Sequence, residues 1–259
     1  TGYIGKVGYD PWGDMGDQWM SESGVDTTYM YRDHSVSTGT GLILIEEDST
    51  NTIIDGDSAC QALTLEETKN AIEAMKEAKV FITGFGMPFR KALDGAKIAK
   101  QEYGMTTLCN VSPLPSEEMG ELDYLDYMVL NDVEAKMLCN LPEDSDQENY
   151  EIVRTLQQKY HCKGVIMTCS SKGSAIIDGD EYWEVEATPV KAVDTIGAGD
   201  GYLAAVAANL VWGKSLREST EWASKYAAYK VTRPGSMTKK PGCGYPNREE
   251  VERFIDSIK

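Results

Sequence analysis

The sequence predicts an α/β protein of three layers, with helices on both faces of a mainly parallel central sheet and a small β-sheet flap. Three observations carry that prediction. From residue 63 onward, short apolar runs alternate with helical stretches, the pattern of parallel strands joined by helical crossovers. Residues 24–58 instead hold successive strand-like runs with no helix between them, which predicts an antiparallel flap. Hydrophobic residues make up 41% and charged residues 26% of a 259-residue chain, enough for a sizeable core. No internal repeat, low-complexity stretch or linker divides the chain, so residues 1–259 are expected to form one domain, with flap strands within about 24–58.

The elements follow in order. Tyr29–Arg32 and Gly41–Ile45 are compact strand candidates, and Thr52–Ile54 follows a turn rich in Asp, Ser and Asn. Thr64-Leu65-Glu66-Glu67 is a capping box, in which the threonine accepts from the backbone while the glutamate reaches back to it. The helix it opens carries Leu65, Ile72 and Met75 towards one side and leads to a strand at Val80–Ile82. A helix near 89–103, strands at Thr107–Cys109 and Tyr127–Leu130, and helices up to Tyr160 come next. Val165–Met167 is a further strand, and Ser174–Asp178 with Tyr182–Glu186 reads as a hairpin around Asp178-Gly179-Asp180. Helices near 199–212, 216–231 and 247–258 finish the chain.

Bulk chemistry excludes several functions. A formal net charge of −17 argues against a nucleic-acid or anionic-membrane surface, but a local nest of backbone amides still admits an anionic ligand. The six cysteines at 60, 109, 139, 162, 169 and 243 form no C-x-x-C pair, and Cys109 and Cys169 fall in apolar runs. Buried reduced thiols and a cytoplasmic location are therefore expected. His34 and His161 lack metal-ligand partners at useful spacing, which leaves a zinc site or a Ser-His-Asp triad without support.

The most informative segment is Val193-Asp194-Thr195-Ile196-Gly197-Ala198-Gly199-Asp200-Gly201-Tyr202, followed by an apolar helix. Small residues at a helix N-terminus let backbone amides face outward, and the helix dipole adds positive potential there. Such a turn can hold a transferring phosphoryl group, with Asp200 placed to take a proton from an attacking hydroxyl. The same residues also suit a plain helix cap behind a tight turn.

This string resembles the C-terminal signature of ribokinase-like (pfkB) carbohydrate kinases, with the ribokinase branch most similar. The resemblance implies a ribokinase-like fold whose flap is a lid, and ATP-dependent phosphorylation of a hydroxyl on a sugar or sugar-like molecule. It implies Asp200 as the base and Gly197, Ala198 and Gly199 as the anion hole. Asn131-Asp132-Val133-Glu134 resembles the N-x-x-E motif, so Asn131 and Glu134 are expected to organise Mg²⁺ and phosphates, Glu134 through water. Thr168-Cys169-Ser170-Ser171-Lys172-Gly173 resembles the nucleotide loop T-x-G-x-x-G, with Thr168, Ser170 and Gly173 as contacts and serine where glycine is usual at 170. Arg233-Pro234-Gly235-Ser236 resembles the loop beside adenine, and Asp194 and Ile196 fall at the family's monovalent-cation loop, which implies K⁺. A homodimer through the lid is also implied. A nucleoside kinase, or a weak nucleotide- or sugar-binding relic, stays open as an alternative.

The acceptor end departs from the family. Its usual first strand with a sugar-binding aspartate, and the G-G-K-G-x-N-like segment, are not in the sequence. The chain opens on Thr1-Gly2-Tyr3-Ile4-Gly5 and is expected to be N-terminally incomplete. Ser58-Ala59-Cys60 stands where G-A-N is frequent, and Gly86 where a sugar-contacting glutamate is common. Asn110-Val111-Ser112 is a glycosylation sequon, set aside because it matters only in a secreted protein.

Overall fold

The computed structural model describes residues 1–45, 51–56, 58–86, 88–235, 238 and 240–258. The turn at 46–50 and Ser236 of the late loop lie outside the described residues. The chain divides into two compact units, Thr1–Ala78 with Gly86–Tyr103, and Lys79–Phe85 with Gly104–Lys259.

The first unit begins with a βαβ motif. Strand β1 (Gly2–Gly8) pairs in parallel with β2 (Asp26–Asp33) through helix α1 (Pro11–Glu22). The antiparallel flap expected from residue 24 onward is thus smaller, because β2 belongs to this parallel pair. Among the described residues of this unit, only β3 (Leu42–Ile45) and β4 (Asn51–Ile54) pair antiparallel, in a two-stranded sheet. Helix α1 escaped the sequence reading because glycines and acidic residues blur its apolar stripe. Its start signals were present, however: Asp10 accepts from the Gly13 amide at 2.9 Å and Pro11 takes the first helical position.

Helix α2 (Leu65–Ala74) opens on the predicted Thr64–Glu67 capping box and packs with α3 (Phe89–Tyr103). Lys6 ties β1 to this box, with Nζ 2.8 Å from the Glu67 carboxylate. The hydroxyl of Tyr31 donates to the Glu67 carbonyl at 3.0 Å.

The second unit is built on a six-stranded sheet in the order β10-β9-β8-β7-β6-β5. Strands β5 (Val80–Gly84), β6 (Thr106–Asn110), β7 (Tyr127–Asn131) and β8 (Gly164–Thr168) run parallel. Strands β9 (Ser174–Asp178) and β10 (Glu181–Val185) add antiparallel, and the hairpin turns at Gly179-Asp180 as expected. Helices α4 (Asp132–Leu138) and α5 (Asn149–Tyr160) cover one side, where Ile152, Val153 and Leu156 of α5 are buried.

Helix α6 (Ala198–Val211) is apolar on most of its circumference because it lies between the sheet and α7 (Leu216–Val231). Leu203 and Val206 pack in one cluster with Val129, Ile166, Ile176 and Trp183 of the sheet and Ala223 of α7. Burying a side chain of that size is worth about 1.5–3 kcal/mol. This core therefore anchors the N-terminus of α6. Helix α8 (Arg248–Ser257) closes the chain behind its own capping box, Asn247 with Glu250.

All six cysteines are free, and Cys109 and Cys169 are buried as expected; burial pushes the Cys109 thiol up to about 12. Among the described residues no helix is long and apolar enough to cross a membrane, and no three acidic, His or Cys side chains gather as a metal cage.

Candidate active site

Three parallel strands of the second unit end in polar residues: β6 in Asn110, β7 in Asn131 and β8 in Thr168. Ligands of open α/β sheets bind at such carboxyl ends. Two adjoining cavities lie there, of about 440 and 210 Å³, both lined by Asn131, Thr168, Thr195, Ala198 and Gly199. The larger adds Ser170 and Gly173 and a mainly apolar wall that includes Val190, Ala192, Ala227 and Val231. The smaller is the more polar, adding Asn110, Ser112, Glu134, Gly197 and Asp200.

The turn before α6 shapes both cavities. Gly197 adopts the left-handed region at φ +76°, and the Ala198 amide donates to the Thr195 carbonyl at 3.1 Å. The amides of Gly199 and Asp200, the second and third helical positions, have no partner among the described residues. Ala198, one of the residues expected in the anion hole, therefore spends its donor on the turn. Asp200 is exposed in the first helical turn, on the smaller cavity.

Behind this turn, Tyr245 packs its ring against Gly197 and Gly201. Burial, and then the nearby charge of Asp200, push the Tyr245 phenol up to about 12, so it stays neutral beside the carboxylate. Tyr202, one position after Gly201, is buried and its hydroxyl lies 3.0 Å from that of Ser174.

Asp194 fixes the approach to the turn. Its carboxylate accepts from the Ile196 amide at 2.9 Å and the Gly235 amide at 2.7 Å, and its own amide donates to the Val231 carbonyl at 3.0 Å. Burial works to raise its pKa, but the two amides and the charge of Lys230 outweigh it and hold the carboxyl below its ordinary value. Lys230, in the last turn of α7, is 0% exposed, with its ammonium 3.3 Å from the Asp194 carbonyl. Asp194, Ile196 and Gly235 line neither cavity; they brace the turn that does.

Asn131 and Glu134 form a reciprocal capping box on α4: Asn131 Oδ1 accepts from the Glu134 amide at 2.8 Å, and Glu134 Oε2 from the Asn131 amide at 2.9 Å. One Glu134 oxygen is thus committed to the helix, and among the described residues Glu134 and Asp200 are the two carboxylate residues that line the smaller cavity. Two separated carboxylates do not cage a metal, but they suit Mg²⁺ held by phosphate oxygens and water.

In the loop after β8, Ser170 takes φ +50° and Gly173 φ +103°. A β-carbon at Gly173 would overlap the Val185 carbonyl, so glycine is obligatory there. Ser170 accepts a left-handed backbone that costs a side-chain residue about 1–2 kcal/mol. That cost is the physical content of its departure from the glycine of the resembled loop.

Asn110 and Ser112, set aside in the sequence as a sequon, line the smaller cavity; their place at the end of a parallel strand and just after it was the missed signal. Ser58, Cys60 and Gly86 of the expected acceptor end belong to the first unit, where Ser58 Oγ lies 2.8 Å from Cys60 Sγ.

Comparison with known proteins adds four findings. The description "pfkB family carbohydrate kinase" matches residues 1–243. The deoxyribokinase of Salmonella typhi is 26% identical over 254 residues, covering 96% of this chain and 80% of that protein. The crystal structure of ribokinase from Thermotoga maritima superposes with a TM-score of 0.83 at 26% identity, over 98% of this chain and 81% of that one. The structure of ribokinase from Giardia lamblia, at 20% identity, shares the fold with a TM-score of 0.86 over 100% of this chain and 83% of that one.

Proposed function

Because this chain belongs to the pfkB family of carbohydrate kinases and is an ATP-dependent sugar kinase, we propose that it moves the γ-phosphoryl group of ATP to a hydroxyl of a pentose or 2-deoxypentose. The observation that carries this reading is Asp200, set on a polar cavity beside the unpaired amides of Gly199 and Asp200.

The sugar hydroxyl approaches phosphorus while Asp200 accepts its proton. The two free amides and the positive end of α6 stabilise charge on the transferring group, without reorganisation at the moment of reaction. The larger cavity has the size and apolar wall for a nucleotide base, with Ser170 and Gly173 close to it. Asn131 and Glu134 face the phosphate end, where bound Mg²⁺ would neutralise phosphate charge. The deoxyribokinase and ribokinase relatives support the pentose class.

ATP turnover against ribose, 2-deoxyribose, fructose and adenosine tests the reading. A pentose should raise ADP release well above the rate with water alone, and no rise with any acceptor would reject it. The six free thiols fit a reducing, cytoplasmic setting. Leu42, Ile43, Leu44 and Ile54 are exposed on the β3–β4 sheet, which fits a lid-to-lid homodimer. Sedimentation of wild type against Leu44→Lys, with a monomer expected for the variant, checks that.

A further inference from the structure

Lys230 is fully buried in the last turn of α7, and no repeating pattern of that helix calls for a lysine there. Ala223 and Ala227, seven and three residues before it and so on the same side of α7, belong to the apolar cluster under the helix. Among the described residues its ammonium makes one hydrogen bond, to the Asp194 carbonyl at 3.3 Å. The half-buried Asp194 carboxylate lies near enough for its charge to act on the ammonium, and a partly desolvated carboxylate favours a positive charge beside it.

The family resemblance implies that such a charge comes from a bound monovalent cation at the Asp194–Ile196 loop. The residues present do not fit one. Both Asp194 carboxylate oxygens already accept amide hydrogens, from Ile196 and from Gly235, and the Asp194 carbonyl accepts from the ammonium. A second cation would meet the fixed charge of Lys230 at short range in a poorly solvated place, where like charges repel strongly.

We infer that the Lys230 ammonium is the built-in cation of this loop: it positions Asp194, and through Asp194 the turn that carries Gly197 and Asp200, so that no monovalent cation is required. Lys230 is a positioning residue, because it lines neither cavity. The inference rests on the sugar-kinase reading for its effect on turnover, but its structural half stands without it.

The test compares buffers of equal ionic strength whose only small cation is potassium or tetramethylammonium. Wild type should show the same thermal midpoint in both, and a kcat that differs by less than about twofold. A selective rise of the midpoint in potassium, or a kcat raised about tenfold or more by it, would overturn the inference. The midpoint needs no turnover, so its outcome stays readable even if every acceptor fails and the kinase reading falls. Lys230→Ala should lose about tenfold or more in kcat in tetramethylammonium and recover part of it in potassium, a response that loss of packing alone would not produce. An unchanged kcat in that variant, or a loss that potassium leaves untouched, would also overturn it. If the variant does not fold, the wild-type comparison decides.

Discussion

The hydroxyl of Tyr245 occupies the space that a β-carbon on residue 197 would need. Gly197 is therefore required twice, by its φ of +76° and by a side chain from a distant part of the chain. Gly197→Ala should cost about 1–3 kcal/mol of stability and lower kcat by more than tenfold, as the first turn of α6 shifts. Tyr245→Phe, which removes the overlapping oxygen, should restore part of the stability in the double variant. Urea unfolding and turnover of the three variants check this, and an alanine variant equal to wild type would show that the turn is not set this way.

Asp200→Asn keeps the shape of the side chain and removes its basicity. A kcat lower by about 10²–10⁴ with ATP affinity nearly unchanged is expected. Turnover and nucleotide titration on the same preparation measure both, and an unchanged kcat would remove Asp200 from the role of base.

Ser170 and Gly173 differ in what their left-handed backbones tolerate. Ser170→Gly relieves about 1–2 kcal/mol of strain against a glycine entropy cost of about 0.5–1 kcal/mol, so it should be neutral to mildly stabilising. Gly173→Ala forces a β-carbon onto the Val185 carbonyl and should destabilise by more than about 2 kcal/mol. Thermal midpoints that moved in the same direction for both variants would contradict this account.

Arg233 holds the loop before α8 through the carbonyls of Gly244 at 3.0 Å and Cys243 at 2.9 Å, and is itself held by Glu250 at 3.0 Å. The Asn247 amide foremost, and then Arg233 working against partial burial, keep the Glu250 carboxyl below its ordinary pKa. A depressed folded pKa contributes stability above the unfolded value of about 4.3, and that contribution is lost as pH falls through the folded pKa. Glu250→Gln should therefore lower the midpoint at neutral pH, with the gap to wild type closing in acid. A gap that stayed constant from pH 7 down to pH 3 would show that the charge of Glu250 plays no part.

Much of this molecule was legible because its signals are local. The alternation of apolar runs and helices placed β5 to β8, the turn at Asp178-Gly179-Asp180 placed β9 and β10, and the box at Thr64-Glu67 placed the start of α2. The Gly197–Asp200 string placed the glycine-led start of α6, since small residues before an apolar helix act within one turn of chain. Asn131 and Glu134 show the limit of local reading, because one motif serves as a helix cap and as cavity lining together. Where the local signal was diluted, as in the glycine- and acid-rich α1, the reading failed and the parallel pairing of β2 was missed.

The sequence by itself determined the fold class, because helix periods, caps and turns act over a few residues; it carried the family in the motif string of the glycine-rich turn, which ends at Asp200, the proposed base. The tertiary structure decided the surroundings of that turn: Asn110 and Ser112 on the smaller cavity, Tyr245 against Gly197, and the buried ammonium of Lys230 on Asp194. No spacing rule links those partners. Their energies depend on burial and on charges brought together from separate elements, and neither exists until the chain has packed.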